Sequence, residues 1–407
     1  MTFGRLVAVA TLGMAFTTVS VSAQTIAIAG RDGSFAEALK AGVAAYTAAN
    51  PGVTATQLEL PYAGLLEKLI ISMREEAGAY DVIMLDDTWA MEFMSKGWLT
   101  DLDQLGGGVD TDFVSGTLGV ARYPFPDGTL YAVPFVGNVA MFAYRSDLME
   151  RPATWTDVLV SAKGVSEANP DVSGVVFRGI KANPIVTGFL PILWAHGANV
   201  VDAEGNAAFN TPDAVEALKL FLELKKYAPT GVETYNSSEV RDALMQGTTA
   251  MSIELWPSWA PSLDDPALSR VPGMIEVVAP PGQTVGSSPM LGSWLLAVPA
   301  DAPNPELGRA FIDFITSAEM QKQLALEIGQ PPTRTSVYTD GDVVAKYRWY
   351  PNQLQALENA TPRPRIVQWS RVETILGDYL QLALIGEMTP ELAIEEAHAE
   401  IERALRR

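Results

Sequence analysis

The sequence predicts an α/β protein made of two units joined by extended crossings, and three observations predict it. Apolar runs of strand length alternate with amphipathic stretches of helix length near the start of the chain. Two long extended segments, each broken by a glycine, follow at residues 131–145 and 290–299. The 407 residues exceed what one domain uses, at roughly 100–200 residues each. With 48% hydrophobic and 19% charged residues, the chain holds enough apolar side chain for sizeable cores.

Residues 1–23 read as a secretory signal peptide: Arg5, an apolar run over 6–16, a more polar stretch, then Val21-Ser22-Ala23 before Gln24. Cleavage is expected after Ala23, with export to the periplasm. The apolar run is shorter than the roughly 20 residues of a membrane span, and no later segment runs that long without charge, so a soluble mature chain is expected. Residues 25–29 (TIAIA) predict a first strand and Gly30 to Gly33 a turn. Ser34, three before Glu37, predicts a capping box that opens a helix. Phe35, Ala38, Leu39, Gly42, Val43 and Tyr46 keep helical spacing until Asn50-Pro51-Gly52 stops it. Residues 53–60 then predict a strand, 65–73 an amphipathic helix and 81–85 a buried strand.

Strand and helix alternating at this spacing imply a parallel sheet with right-handed crossovers. Ligands of such sheets lie beyond the carboxyl ends of the strands, here Arg31-Asp32, Pro61-Tyr62 and Asp86-Asp87. Gly137-Asn138, inside the extended segment 131–145, predicts a hinge at which Gly137 absorbs the dihedral change. Helices near 156–162 and over 212–226, the second N-capped by Thr211, build a second α/β unit. The segment 290–299 and the run Gln330-Pro331-Pro332-Thr333 predict a second and a third crossing.

Composition narrows the function. The 28 Lys+Arg against 48 Asp+Glu leave a net charge of −20, which repels phosphate backbones, so no nucleic-acid partner is expected. The absence of cysteine removes disulfides, thiolate catalysis and Cys-ligated metals together. His196 precedes Gly197 at a predicted helix end, and His398 lies on the solvated face of the last helix, so neither has metal-ligand company. Neither a cofactor nor a metal is expected.

Trp89, Trp256 and Trp294 each adjoin a predicted strand end or crossing, which predicts exposed indoles at a rim. Indole faces stack on the C–H faces of sugar rings, while hydroxyls need partners in the ring plane. Asp32, Asp86, Asp87, Asn138 and Glu254 come from the same loops. The other six tryptophans, Trp259 among them, read as core or helix-start residues. Asp86-Asp87 is weak evidence for glycoside hydrolysis, since neighbours in an extended turn point to opposite sides. An acid/base couple assembled from Asp87 and Glu254 remains open at this stage. Arg363 and Arg365, held extended by Pro362 and Pro364, can aim planar donors at a hydroxyl pair or an anion, or pair with neighbouring acids.

On these residues the chain resembles the family 1 extracellular solute-binding proteins of bacterial ABC importers. The matching segments are 80–89 (YDVIMLDDTW), 97–102 (GWLTDL), 131–135 (YAVPF), 144–148 (YRSDL), 152–155 (PATW), 244–251 (LMQGTTAM), 292–294 (GSW), 331–334 (PPTR) and 362–364 (PRP), in family order. The resemblance implies two α/β lobes of the type II-like periplasmic-binding-protein fold, each a mainly parallel sheet flanked by helices, joined by a multi-strand hinge. It places the first lobe at 24–137 with 293–335 and the second at 138–292 with 336–407. It implies a monomer that closes on a small sugar-like ligand and delivers it to membrane permease subunits. Carried over by position, the ligand contacts are Arg31, Asp32, Tyr62, Asp86, Asp87, Trp89 and Asn138. Further along the chain they are Thr187, Gly188, Glu254, Trp256, Trp294, and Arg363 or Arg365. The common Gly-Gly-Trp reads Gly292-Ser293-Trp294 here. The alternatives are a receptor for an anionic sugar using Arg363 and Arg365, a secreted polysaccharide-active enzyme and, more weakly, a polyamine receptor.

Overall fold

The computed structural model of the protein describes residues 24–106 and 108–406, so the signal-peptide reading of residues 1–23 lies outside the described residues. The chain opens with β1 (Gln24–Arg31), α1 (Ser34–Ala49), β2 (Val53–Leu60), α2 (Tyr62–Glu75), β3 (Val82–Asp86) and α3 (Asp87–Ser95). The alternation read from the sequence is thus present to within a few residues. The capping box at Ser34 is not. Gly33, with φ of 70°, takes the N-cap place without any side-chain cap, and Ser34 becomes the first helical residue. A left-handed turn leaving β1 admits glycine more readily than serine.

A small hairpin of β4 (Arg122–Tyr123) and β5 (Thr129–Leu130) precedes β6 (Ala132–Val136) and β7 (Met141–Arg145). Later strands are β8 (Met251–Leu255), β9 (Ile275–Val278) and β10 (Trp294–Ala297). The first sheet has the order β2-β1-β3-β10-β6. β1 runs parallel to both β2 and β3, and β10 is antiparallel to β3 and β6. Trp294 therefore sits in register with Asp86 on one side and Val136 on the other. β3 is buried along its whole length, as a central strand covered on both faces must be. The second sheet has the order β8-β7-β9 and is antiparallel, where a mainly parallel sheet was expected, because β7 leaves the junction between two strands that run back toward it.

Around the second sheet lie the helices Trp155–Ala168, Asn183–Ala195, Pro212–Lys225, Trp369–Leu384 and Pro390–Leu405. Thr154 and Asp157 form a capping box, and Thr211 caps its helix through the Ala214 amide. His196 ends the helix Asn183–Ala195 with Nδ1 2.8 Å from the Ile192 carbonyl. One apolar cluster fills the first sheet and continues under the junction to Leu255, Ile275 and Val277, and a second fills the space among these later helices. The helix Tyr350–Glu358 bridges the two regions, and Asn352 Nδ2 donates to the Val277 carbonyl at 3.0 Å.

The junction is a set of extended segments lying side by side. Ala140 N donates to Met290 O (2.8 Å), Gly292 N to Asn138 O (3.0 Å) and Leu291 N to Thr361 O (2.9 Å), while Gly137 N reaches Pro331 O (3.0 Å). Gly137 was expected as the flexible dihedral, yet what demands glycine there is space. A Cβ would stand 1.9 Å from Pro332 O and 2.9 Å from the Tyr338 hydroxyl. Gly137→Ala should therefore destabilise the protein by about 1–3 kcal/mol through overpacking. Urea denaturation checks this, and an unchanged midpoint would contradict the packing described.

Candidate functional site

The carboxyl ends of β1, β3 and β6 and the start of β10 face the second sheet across a cavity of about 880 Å³. Its wall combines Tyr62, Trp89 and Trp294 from the first sheet's side with Trp256 and Trp259 from the turn after β8. The three predicted tryptophans are not exposed at a rim. Trp89, Trp256 and Trp294 are 2%, 9% and 4% exposed, because each ring is covered on its other faces. Trp89 lies on α3 and meets Tyr62 at 4.6 Å and Trp294 at 5.5 Å between centroids. Phe35 covers Trp294 at 5.2 Å. Trp256 is fixed by the hinge segment itself, since a Cβ on Gly292 would stand 2.2 Å from its ring.

Asp86 ends β3 and caps α3, accepting the Thr88 amide at 3.1 Å and hydroxyl at 3.0 Å. Asp87 is the first helical residue and wholly buried. The two carboxylates do not point to opposite sides as expected of an extended turn. Both converge on Arg363 Nη2, with Asp86 Oδ1 at 2.6 Å and Asp87 Oδ1 also hydrogen-bonded, because helix onset at Asp87 turns the second side chain back. Glu373 lies 3.8 Å from Arg363 Nη1 and accepts Asn183 Nδ2 at 3.0 Å. Burial pushes the Asp87 carboxyl up to about 8, against the pull of Arg363. For Asp86 burial also works upward, but Arg363 and hydrogen bonds from Asp87 and Thr88 outweigh it and hold the group below its usual value. Burial likewise raises Glu373.

Arg365 does not face the cavity. Its Nη1 donates to Asp87 O (2.6 Å) and its Nη2 to Val120 O (2.9 Å), so it braces backbone behind the pair. Asp32 pairs with Arg31 at 3.2 Å, half-exposed and outside the cavity wall. Arg31 itself lines the cavity, its guanidinium 5.3–5.6 Å from the rings of Tyr62, Trp294 and Phe35. Asn138 lines it too, with a buried Oδ1 that accepts no hydrogen bond within the chain.

On the second lobe's side the sequence reading missed the central group. Arg178 lines the cavity and forms a bidentate pair with Glu254, Nε to Oε2 at 2.9 Å and Nη2 to Oε1 at 2.6 Å. Arg178 Nη2 also bonds the Thr187 hydroxyl, and Gly188 packs behind, 3.7 Å from Glu254 Oε2 measured from an added Cβ. Glu254, Thr187 and Gly188 thus stand behind Arg178 rather than in the wall, as does Asp87 behind Asp86. Neither member of the Asp87–Glu254 couple lines the cavity. The guanidinium of Arg178 lies 5.8 Å from the Trp256 ring and 5.9 Å from that of Trp259. Two signals pointed this way. A lone charge inside the apolar run 175–180 (VVFRGI) requires a buried partner. Trp256 and Trp259 are three apart, which a 3₁₀ turn brings to one face.

Among the described residues no cluster of His, Cys, Asp and Glu could hold a metal ion, and no helix is long and apolar enough to cross a membrane. Residues 32–322 match the family described as bacterial extracellular solute-binding protein. A probable ABC transporter-binding protein of Deinococcus radiodurans is 29% identical over 69% of each chain. A mannitol-binding protein of Pseudomonas aeruginosa is 25% identical over 84% of each chain. Among solved structures, maltose-bound MalE3 of T. maritima superposes with a TM-score of 0.85 at 27% identity, over 94% of this chain and 100% of that one. A ribitol-bound ABC transporter solute-binding protein of Agrobacterium radiobacter also reaches 0.85, at 25% identity over 94% and 99%. These likenesses bear out the two-lobe α/β fold.

Two outcomes follow from the charge pairs. Arg178→Met leaves Glu254 buried and unpaired and should cost about 3–5 kcal/mol in urea unfolding, while Arg178→Met/Glu254→Leu should recover most of it. A single variant as stable as the parent would refute the pair. Asp87 holds its proton up to about pH 8 when folded but only to about pH 4 when unfolded. Its stabilisation is full below about pH 4 and is lost as the pH rises through about 8. The parent's melting temperature should accordingly fall more than that of Asp87→Asn between about pH 5 and about pH 8.5.

Proposed function

Since the chain belongs to the bacterial extracellular solute-binding protein family, we propose that it is the periplasmic binding component of an ABC importer and that its cargo is a neutral carbohydrate or polyol. The observation that carries this is the cavity wall: aromatic faces from both lobes surround hydrogen-bonding groups whose charges are already matched by partners behind them. Stacking on indole faces accepts the C–H side of a sugar, and Asp86, Asn138, Arg178 and Arg363 offer in-plane partners to hydroxyls. The maltose-, ribitol- and mannitol-binding relatives support the same class.

An anionic cargo finds less support. Arg363 lies between two carboxylates, and Arg365 is bonded to backbone outside the cavity. In our reading the lobes are residues 24–137 with 293–335 and 138–292 with 336–407. The protein acts as an exported monomer, with residues 1–23 removed, and no covalent step occurs in the cleft. Closure follows from differential affinity, since the ligand satisfies buried polar groups that the closed cleft otherwise leaves unmatched. The closed form then docks on permease subunits, and ATP is hydrolysed on other chains.

A thermal-shift screen of the chain from Gln24 against maltose, mannitol and ribitol, with related sugars and sugar acids, tests the class. A bound compound at 100 times its dissociation constant should add about 2.7 kcal/mol. No shift with any neutral sugar or polyol, or a shift with sugar acids alone, would reject the reading. For the compound that binds, Trp259→Ala should weaken calorimetric affinity about tenfold or more, in line with an aromatic contact worth about 0.5–1.5 kcal/mol beyond its buried area. Trp259 is only partly buried, so the variant should still fold.

A further inference from the structure

The cavity does not end at the indoles. One face of α2, with residues three and four apart, forms its wall from Tyr62 onward through Leu66, Ile70 and Ile71 to Arg74. A helix rises about 1.5 Å per residue, so this wall runs about 18 Å, well beyond the aromatic end. Past Tyr62 α2 contributes no ring to it and chiefly aliphatic side chain. Ile71 is 44% exposed, and Ile180, on the segment before the helix Asn183–Ala195, is 36% exposed; both line this one cavity. Large apolar side chains left in water along a concave wall mark a surface that expects an apolar occupant.

A bare sugar or polyol leaves that stretch uncovered. A second sugar ring would find a flat aromatic face at the Trp end, whereas along α2 it would meet chiefly Leu66, Ile70 and Ile71, with the exposed Glu67 and Arg74 beside them. We infer that the cavity holds a second, apolar subsite along α2 and Ile180, and that the physiological cargo is a hydroxylated head bearing an aliphatic or aryl substituent, bound with the head among the indoles. This rests on the reading of the aromatic end as a carbohydrate site, and its continuity with that end is what selects the occupant: the substituent leaves the head where α2 begins.

The experiment is calorimetry on the chain from Gln24 with methyl and n-octyl glucosides, mannosides and maltosides in both anomers, below their micelle concentrations, beside maltose and maltotriose. The expected result is an octyl compound binding at least about tenfold tighter than its methyl counterpart. Ile71→Ser/Ile180→Ser should remove that advantage while leaving the methyl compound's affinity within about twofold; both positions are exposed enough for folding to be unaffected. Equal affinity of methyl and octyl forms, or a gain from added sugar rings without one from alkyl chains, overturns the subsite and leaves the carbohydrate reading standing. Octyl compounds that bind in an Ile71/Ile180-dependent way while no methyl glycoside or free sugar binds would uphold the subsite and overturn the carbohydrate head. Binding by neither series rejects both.

Discussion

Two carboxylates at the inner end of a central strand are tolerable only with a cation between them, and Arg363 is that cation. Asp86 and Asp87 are buried where β3 gives way to α3, and removing charge from water costs several kcal/mol per ion unless it is paired. Arg363 arrives on the segment that begins at Thr361, whose carbonyl accepts Leu291 N within the hinge. The charge at the end of one sheet thereby fixes where the last hinge segment must run. A proton on Asp87 lowers the cost further, since only one of the two acids need carry full charge at neutral pH.

The opposite wall repeats the arrangement with different elements. Arg178 is held by Glu254 as Arg363 is held by Asp86, and in each case a residue further back, Thr187 or Arg365, braces the pair. Donors therefore reach the cavity from both sides while the net charge of its wall stays low. Rings from both lobes close the remaining faces, and on the first sheet's side Trp294 meets Tyr62 and Trp89 edge-to-face. Side chains already held by partners on each side lose little freedom when a ligand arrives, which reduces the ordering cost of binding.

The periodic parts of this architecture were legible. β2 and the start of α1 fall where spacing and turn residues put them, because apolar period is a local property of the chain. The ends of β1 and β3 were legible as parts of the cavity for the same reason, while the antiparallel entry of β10 between β3 and β6 was not. What the sequence could not reveal was pairing at a distance. Glu254 and Arg178 are 76 residues apart and Asp86 and Arg363 are 277 apart, and nothing local marks either as a pair. Hence Glu254 was read as a wall residue when it stands behind one. Burial of the tryptophans was illegible too, since Phe35, Tyr62 and Gly292 cover them from other elements. The serine at 34 matched a capping pattern that the left-handed Gly33 overrode.

The contact between Gly292 and Trp256 has a mechanical corollary. The backbone that connects the two halves is also the backing of the indole, with no intervening layer to absorb displacement. A twist applied at Leu291 or Gly292 must tilt that ring in the same instant. The indole that lines the cavity and the backbone that joins the halves are thus mechanically coupled.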